Sequence, residues 1–91
     1  MKYLLILLLS FPAFADMKKC TSIEKLAKSI MTNRQSDVPL SKMVTATTPK
    51  WSRALIMDAY KEPLWATDKN KLIAINKFAN DYYMICLKSI N

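Results

Sequence analysis

Two cysteines, Cys20 and Cys86, are the only ones in the 91-residue chain, and a segment that reads as a secretory leader precedes the first of them. Together these features limit the fold more than anything else in the sequence. Lys2 supplies a positive start. Leu4 to Leu9 form a short apolar run, extended past Ser10 to Phe11, and Ala13-Phe14-Ala15 is a small-x-small cleavage signal. The run is too short for a bilayer span, which takes about 20 apolar residues, and Pro12 closes it. The expectation is a cleaved signal peptide over residues 1–15 and a single domain over residues 16–91. Asp16-Met17-Lys18-Lys19 separates the cleavage point from Cys20, which argues against a lipoprotein. The expected localisation is periplasmic or secreted, from a bacterial cell.

Exported cysteines meet an oxidising compartment, where they pair. Two free thiols or an intermolecular bridge are the alternatives. A Cys20–Cys86 bond would join the two ends of residues 16–91. In the chain-entropy picture, closing so long a loop stabilises by about 4 kcal/mol. A domain this small has a limited core, so a staple of that size could decide whether it folds.

The chain has no Gly and no His. Without Gly, tight primed hairpins are disfavoured, and no Gly-rich phosphate loop can form. Without His, the usual general base and the commonest zinc ligand are missing. Paired cysteines would leave no thiolate nucleophile. No enzyme, cofactor or metal is therefore expected. Cleavage after Ala15 would remove Lys2 and take the net charge from +7 to +6. The remaining basic residues are scattered, as on a solvated surface. They leave a membrane surface as an alternative partner, and export makes nucleic acid unexpected.

Hydrophobic spacing predicts four helices after the leader. The first runs from about Ser22 to Gln35, with Thr21 and Glu24 as a capping box and Ile23, Leu26, Ala27, Ile30 and Met31 as one apolar stripe. Glu24 and Lys28 could pair on its other side. Ser36-Asp37-Val38-Pro39 breaks it. A short second helix runs from Ser41, its cap, to about Ala46, with Leu40 as a staple. Thr48-Pro49 opens a third, which runs to about Lys61 and is ended by Pro63. There Trp51, Ala54, Leu55 and Ala59 share a stripe, while Ile56, Met57 and Tyr60 lie on other faces. Such a helix is either central to the fold or a binding face.

Thr67 or Asp68 caps the last helix, which runs to about Lys88. Its stripe is Leu72, Ile75, Phe78, Ala79, Tyr82, Ile85 and Cys86, with Ile73 and Met84 on the polar side. The expected fold is all-α: a small bundle of about four helices, the first and last antiparallel and stapled by one disulfide. Five methionines outside the leader are dispersed and read as core filling. Asp58 is expected to pair with Lys61 or Lys42, or to sit at the core edge.

The runs Ile30-Met31-Thr32-Asn33-Arg34-Gln35, Val38-Pro39-Leu40-Ser41-Lys42-Met43, Ala59-Tyr60-Lys61-Glu62-Pro63 and Phe78-Ala79-Asn80-Asp81-Tyr82-Tyr83, with Cys86, resemble small exported proteins encoded by bacteriophages and prophages. That family is of unassigned function, so it lends no functional residues. The resemblance implies a role in the host envelope, either excluding a second phage or modulating lysis. A looser, architectural likeness is to small periplasmic acid-stress chaperones, but this chain lacks the acidic residues whose protonation would drive their switch.

The leading expectation is an exported, non-enzymatic binding protein whose partner is an envelope or phage lysis protein. The alternative is a basic membrane- or lipopolysaccharide-binding effector. A small hydrolase, the third class, would need a base that the sequence does not supply. The expected contact residues are Tyr60 and Trp65, in a patch with Trp51, Ile56, Met57 and Leu64 and with Arg53 and Lys61 at the rim; the alternative is that Tyr60 and Trp65 simply close the core. Trp and Tyr are the residues that most often anchor interfaces.

Overall fold

The computed structural model describes residues 2–46 and 52–90, with side chains described over 17–45 and 52–90. Four helices follow in order: α1 (Lys2–Gln35), α2 (Leu40–Ala46), α3 (Ser52–Ala59) and α4 (Asp68–Ile90). Among the described residues there is no strand. α1 and α4 form the main pair, α3 packs on α1, and α2 packs on α3.

Two ties show that α1 and α4 run antiparallel. Cys20 and Cys86 are bonded, their Cα atoms 5.4 Å apart, so part-way along α1 meets the end of α4. At the other end, Lys71 Nζ donates to the Gln35 carbonyl oxygen at 3.0 Å. This ammonium also satisfies one of the carbonyls that a helix end leaves without a partner.

α1 starts well before Ser22. Nothing in Asp16 to Thr21 breaks a helix, so the chain turns continuously through it. Thr21 is therefore no cap; its hydroxyl donates back to the Met17 carbonyl at 3.0 Å. The expected stripe is present along α1. Cys20, Ala27, Ile30 and Met31 are buried, and Ile23 and Leu26 are half-buried. Glu24 and Lys28 do not pair. Among the described residues the ion pair is Lys77–Asp81 at 3.1 Å, an exposed pair on α4 that contributes little.

The end of α1 is a Schellman turn made without glycine. The Val38 amide donates to the Asn33 carbonyl and the Asp37 amide to that of Arg34, both at 3.1 Å. Asp37 takes the left-handed position at φ 64°. An aspartate tolerates that region better than a branched side chain. α2 then begins at Leu40, one residue before the expected cap. The amides of Lys42 and Met43 reach the Pro39 carbonyl, so Ser41 lies inside the first turn and Leu40 is exposed.

α3 ends at Ala59, two residues earlier than expected, and closes through turns at Lys61 and Glu62. Thr48-Pro49 and Trp51 lie outside the described residues. The buried stripe is Ser52, Leu55, Ile56 and Ala59, at helical spacing. It is rotated from the expected one, so Ala54 faces out and Ile56 is fully buried. On α4, Thr67 is the cap, its Oγ1 accepting the Asn70 amide at 3.1 Å. Ala74, Phe78 and Ala79 are buried, and Phe78 meets Tyr82 with ring centroids 4.9 Å apart. Leu72 and Ile85, expected in the stripe, are exposed.

One core joins all four helices. Ala27, Ile30 and Met31 of α1, Met43 of α2, Leu55, Ile56 and Ala59 of α3 and Phe78 of α4 cluster together. Met31 and Met43 fill this core as expected, whereas Met17, Met57 and Met84 are exposed. Ile56 is fully buried in this cluster and is among the largest side chains that α3 contributes to it.

The disulfide yields a direct test. Cys86→Ala should lower unfolding free energy by about 2–5 kcal/mol, the range for small disulfide-closed domains, in a denaturant melt. An unchanged midpoint would contradict its role as a staple.

Candidate partner-binding surface

Past α3, residues 60–67 cross back over the end of α1, and α1 holds them by polar contacts. Gln35 is buried, and its side-chain amide bonds the crossing chain on both sides of Leu64. Its Nε2 donates to the Pro63 carbonyl at 2.9 Å, and its Oε1 accepts the Trp65 amide at 3.0 Å. A side-chain amide has the donor and acceptor that a strand edge would offer, so Gln35 stands in for one. Beside it, Arg34 Nε donates to the Glu62 carbonyl at 3.1 Å. The Arg34 guanidinium also lies 5.0 Å from the Tyr60 ring centroid, within cation–π range.

This clamp decides what the expected contact residues do. Tyr60 is half-buried, and its hydroxyl donates to the Val38 carbonyl, tying the end of α3 to the turn after α1. Its phenol is pushed above its ordinary value by burial; Arg34 opposes that shift and the charge of Asp37 adds to it. Tyr60 therefore braces the clamp. Ile56 lies wholly in the core and offers nothing to a partner. Met57 is 60% exposed but lies on α3, apart from the cleft beside Trp65. Arg53 and Lys61 are exposed as expected.

Trp65 is the residue the clamp presents. Its backbone is fixed by Gln35, yet its side chain remains 39% exposed. It lines a cleft of about 200 Å³ with Ile73, Ala74 and Asn70, and with Glu62 and Lys77 at opposite charge. Exposed Leu64 adjoins it in the chain. The structure thus does not join Trp65 with Tyr60 and Met57 in one patch. It joins Trp65 with the start of α4, where Ile73 was read as an outlier on the polar face. The signal that could have found this is Ile73 itself, an apolar residue with no core to enter.

Gln35 and Arg34 were missed because they read as the polar end of an amphipathic helix. Asp58, expected either to pair with Lys61 or Lys42 or to sit at the core edge, is exposed and accepts a hydrogen bond from the Tyr82 hydroxyl at 2.8 Å. The Tyr82 phenol is pushed up to about 12, first by burial, then by the hydrogen bond to Asp58 and its negative charge. Among the described residues no three His, Cys, Asp or Glu side chains gather as a metal-ligand group. No helix among them is long and apolar enough to cross a membrane.

Two measurements check this geometry. Gln35→Ala leaves the Trp65 amide and the Pro63 carbonyl without their partner. It should cost about 2–3 kcal/mol in a denaturant melt; a loss below about 0.5 kcal/mol, the scale of a surface change, would contradict the clamp. The Tyr82 phenol is harder to ionise folded than unfolded. Its contribution to stability is thus complete below about pH 10 and is lost as pH rises toward 12. Asp58→Ala should lower its midpoint in a phenolate absorbance titration, while burial keeps it above that of an exposed tyrosine. An unmoved midpoint would contradict the hydrogen bond.

No protein-family model, curated protein or solved structure matches this chain.

Proposed function

We propose that the protein is an exported, non-enzymatic binding protein of the bacterial envelope. It is phage-derived and acts by protein–protein contact in superinfection exclusion or lysis modulation. The observation that supports this reading is the geometry of Trp65: a main chain fixed by a buried glutamine and an indole left at the surface beside an apolar cleft. Large aromatic side chains anchor interfaces, and a contact already held in place loses little entropy on binding. The leader and the Cys20–Cys86 bond support export, since disulfides persist in oxidising compartments.

A second reading rests on the outer face of α4. Ile73, Lys77, Met84 and Lys88 recur along it at helical spacing, and both apolar members are more than half exposed. Such a face suits a basic effector that binds a membrane or lipopolysaccharide. Binding to anionic vesicles that weakens with added salt would separate this reading from the first.

Trp65→Ala tests the leading reading. The indole is partly exposed and the Gln35 bond uses the Trp65 main chain, so the variant should keep its fold and most of its stability. It should also lose a partner that wild type captures from a periplasmic extract of phage-infected cells. A variant that loses about 3–5 kcal/mol, as for a core aromatic, or that captures the partner as well as wild type, would contradict the assignment.

A further inference from the structure

At the disulfide end of the molecule, away from Trp65, two openings of about 480 and 450 Å³ meet. They share Lys19 and Ile23. The first is walled by Ile23, Leu55, Ile85 and Ile90, with Cys86 of the disulfide in its lining; the second continues along α1 past Ser22 to Leu26. Each falls in the size range of small-molecule sites. Ile85 stands 58% exposed at this groove.

We propose that this groove binds a free single-chain amphiphile: one alkyl chain ending in a carboxylate or phosphate group. Three observations select that class. The walls are mainly apolar, with Ile23, Leu26, Leu55, Ile85 and Ile90 beside the phenol of Tyr82 and the hydroxyls of Ser22 and Ser89; along α1 they run for about 10 Å between Lys19 and Leu26, at roughly 1.5 Å per residue. The hydroxyls present have already donated their protons: Ser22 to the Lys18 carbonyl, Ser89 to the Cys86 carbonyl and Tyr82 to Asp58. A peptide backbone would find few partners there for its own polar groups, whereas an alkyl chain needs none. Among the described residues that line the groove the charged one is Lys19, which is exposed and forms no ion pair with any described residue, and no described carboxylate lines either opening. An anionic head at Lys19 with its chain along the isoleucines would be complementary in both charge and polarity.

This site is independent of Trp65, so the two proposals stand or fall separately. The test titrates the disulfide-bonded protein with monomeric dodecanoate, below its micelle concentration, by calorimetry. The proposal expects saturable one-to-one binding. Affinity should fall roughly fourfold for each methylene removed from the chain, the transfer value for a buried methylene. Lys19→Glu, a change at an exposed position, should weaken binding at least tenfold, and Trp65→Ala should leave it unchanged. Because Cys86 lines the groove, dodecanoate should also slow reduction of the Cys20–Cys86 bond by an added thiol. Absence of saturable binding, equal affinity in Lys19→Glu, or binding to anionic vesicles but not to the monomer would each overturn the proposal. So would displacement of dodecanoate by an uncharged apolar peptide of matched length.

Discussion

The antiparallel pairing of α1 with α4 supports everything else in this molecule, and it is tied at both ends. The Cys20–Cys86 bond holds one end, and the Lys71 ammonium on the last carbonyl of α1 holds the other. Between them α1 contributes Ala27, Ile30 and Met31 to the core, and α4 contributes Phe78. Neither short helix could stand alone: isolated helices under about 12 residues are marginal in water. α2 and α3 take their places because the long pair offers a surface to bury Met43, Leu55 and Ile56. The covalent tie shrinks the unfolded ensemble, which matters most in a chain with so small a core.

The clamp at the end of α1 converts this stability into a presented surface. Gln35 replaces a strand edge, Arg34 adds a carbonyl contact and a ring contact, and Tyr60 returns a hydrogen bond to the turn. None of these side chains is apolar, yet together they hold the connection from α3 to α4 in one path. Trp65 emerges from that path with its main chain fixed. A surface indole at the end of a loose loop would have to be ordered on binding, at a cost that this one avoids.

The all-α class, the disulfide and the last helix were legible because apolar spacing and cysteine position are direct physical signals; the end of α1 was legible too, but its start was expected at Ser22 and lies at Lys2. The start of α4 was legible to within one residue, as Thr67 or Asp68, and the Asn70 amide assigns the cap to Thr67. The reading failed where a local signal competed with a larger context. Thr21 and Glu24 have the pattern of a capping box, but a continuous helix leaves no free amides for them to satisfy. Ile56 was placed off the stripe because Ala54 was counted as core, and a shift of one residue turns a helix face by about 100°. The site was least legible. Trp65 was read as an anchor from its loop position; the cleft it lines is bounded by α4 residues, whereas its neighbours were sought on α3. Gln35 gave no signal, because a buried glutamine depends on a chain crossing about 30 residues away, and nothing in its own surroundings marks it.

Amide hydrogen exchange at Trp65 tests the central claim of a fixed main chain carrying an exposed side chain. The Trp65 amide should exchange slowly, with protection approaching that of the buried turns of α1, because its acceptor is the buried Gln35 amide oxygen. The indole of the same residue should remain open to an aqueous quencher of tryptophan fluorescence in the free protein. Exchange of the Trp65 amide at the rate of an unprotected loop, with the disulfide intact, would contradict the account.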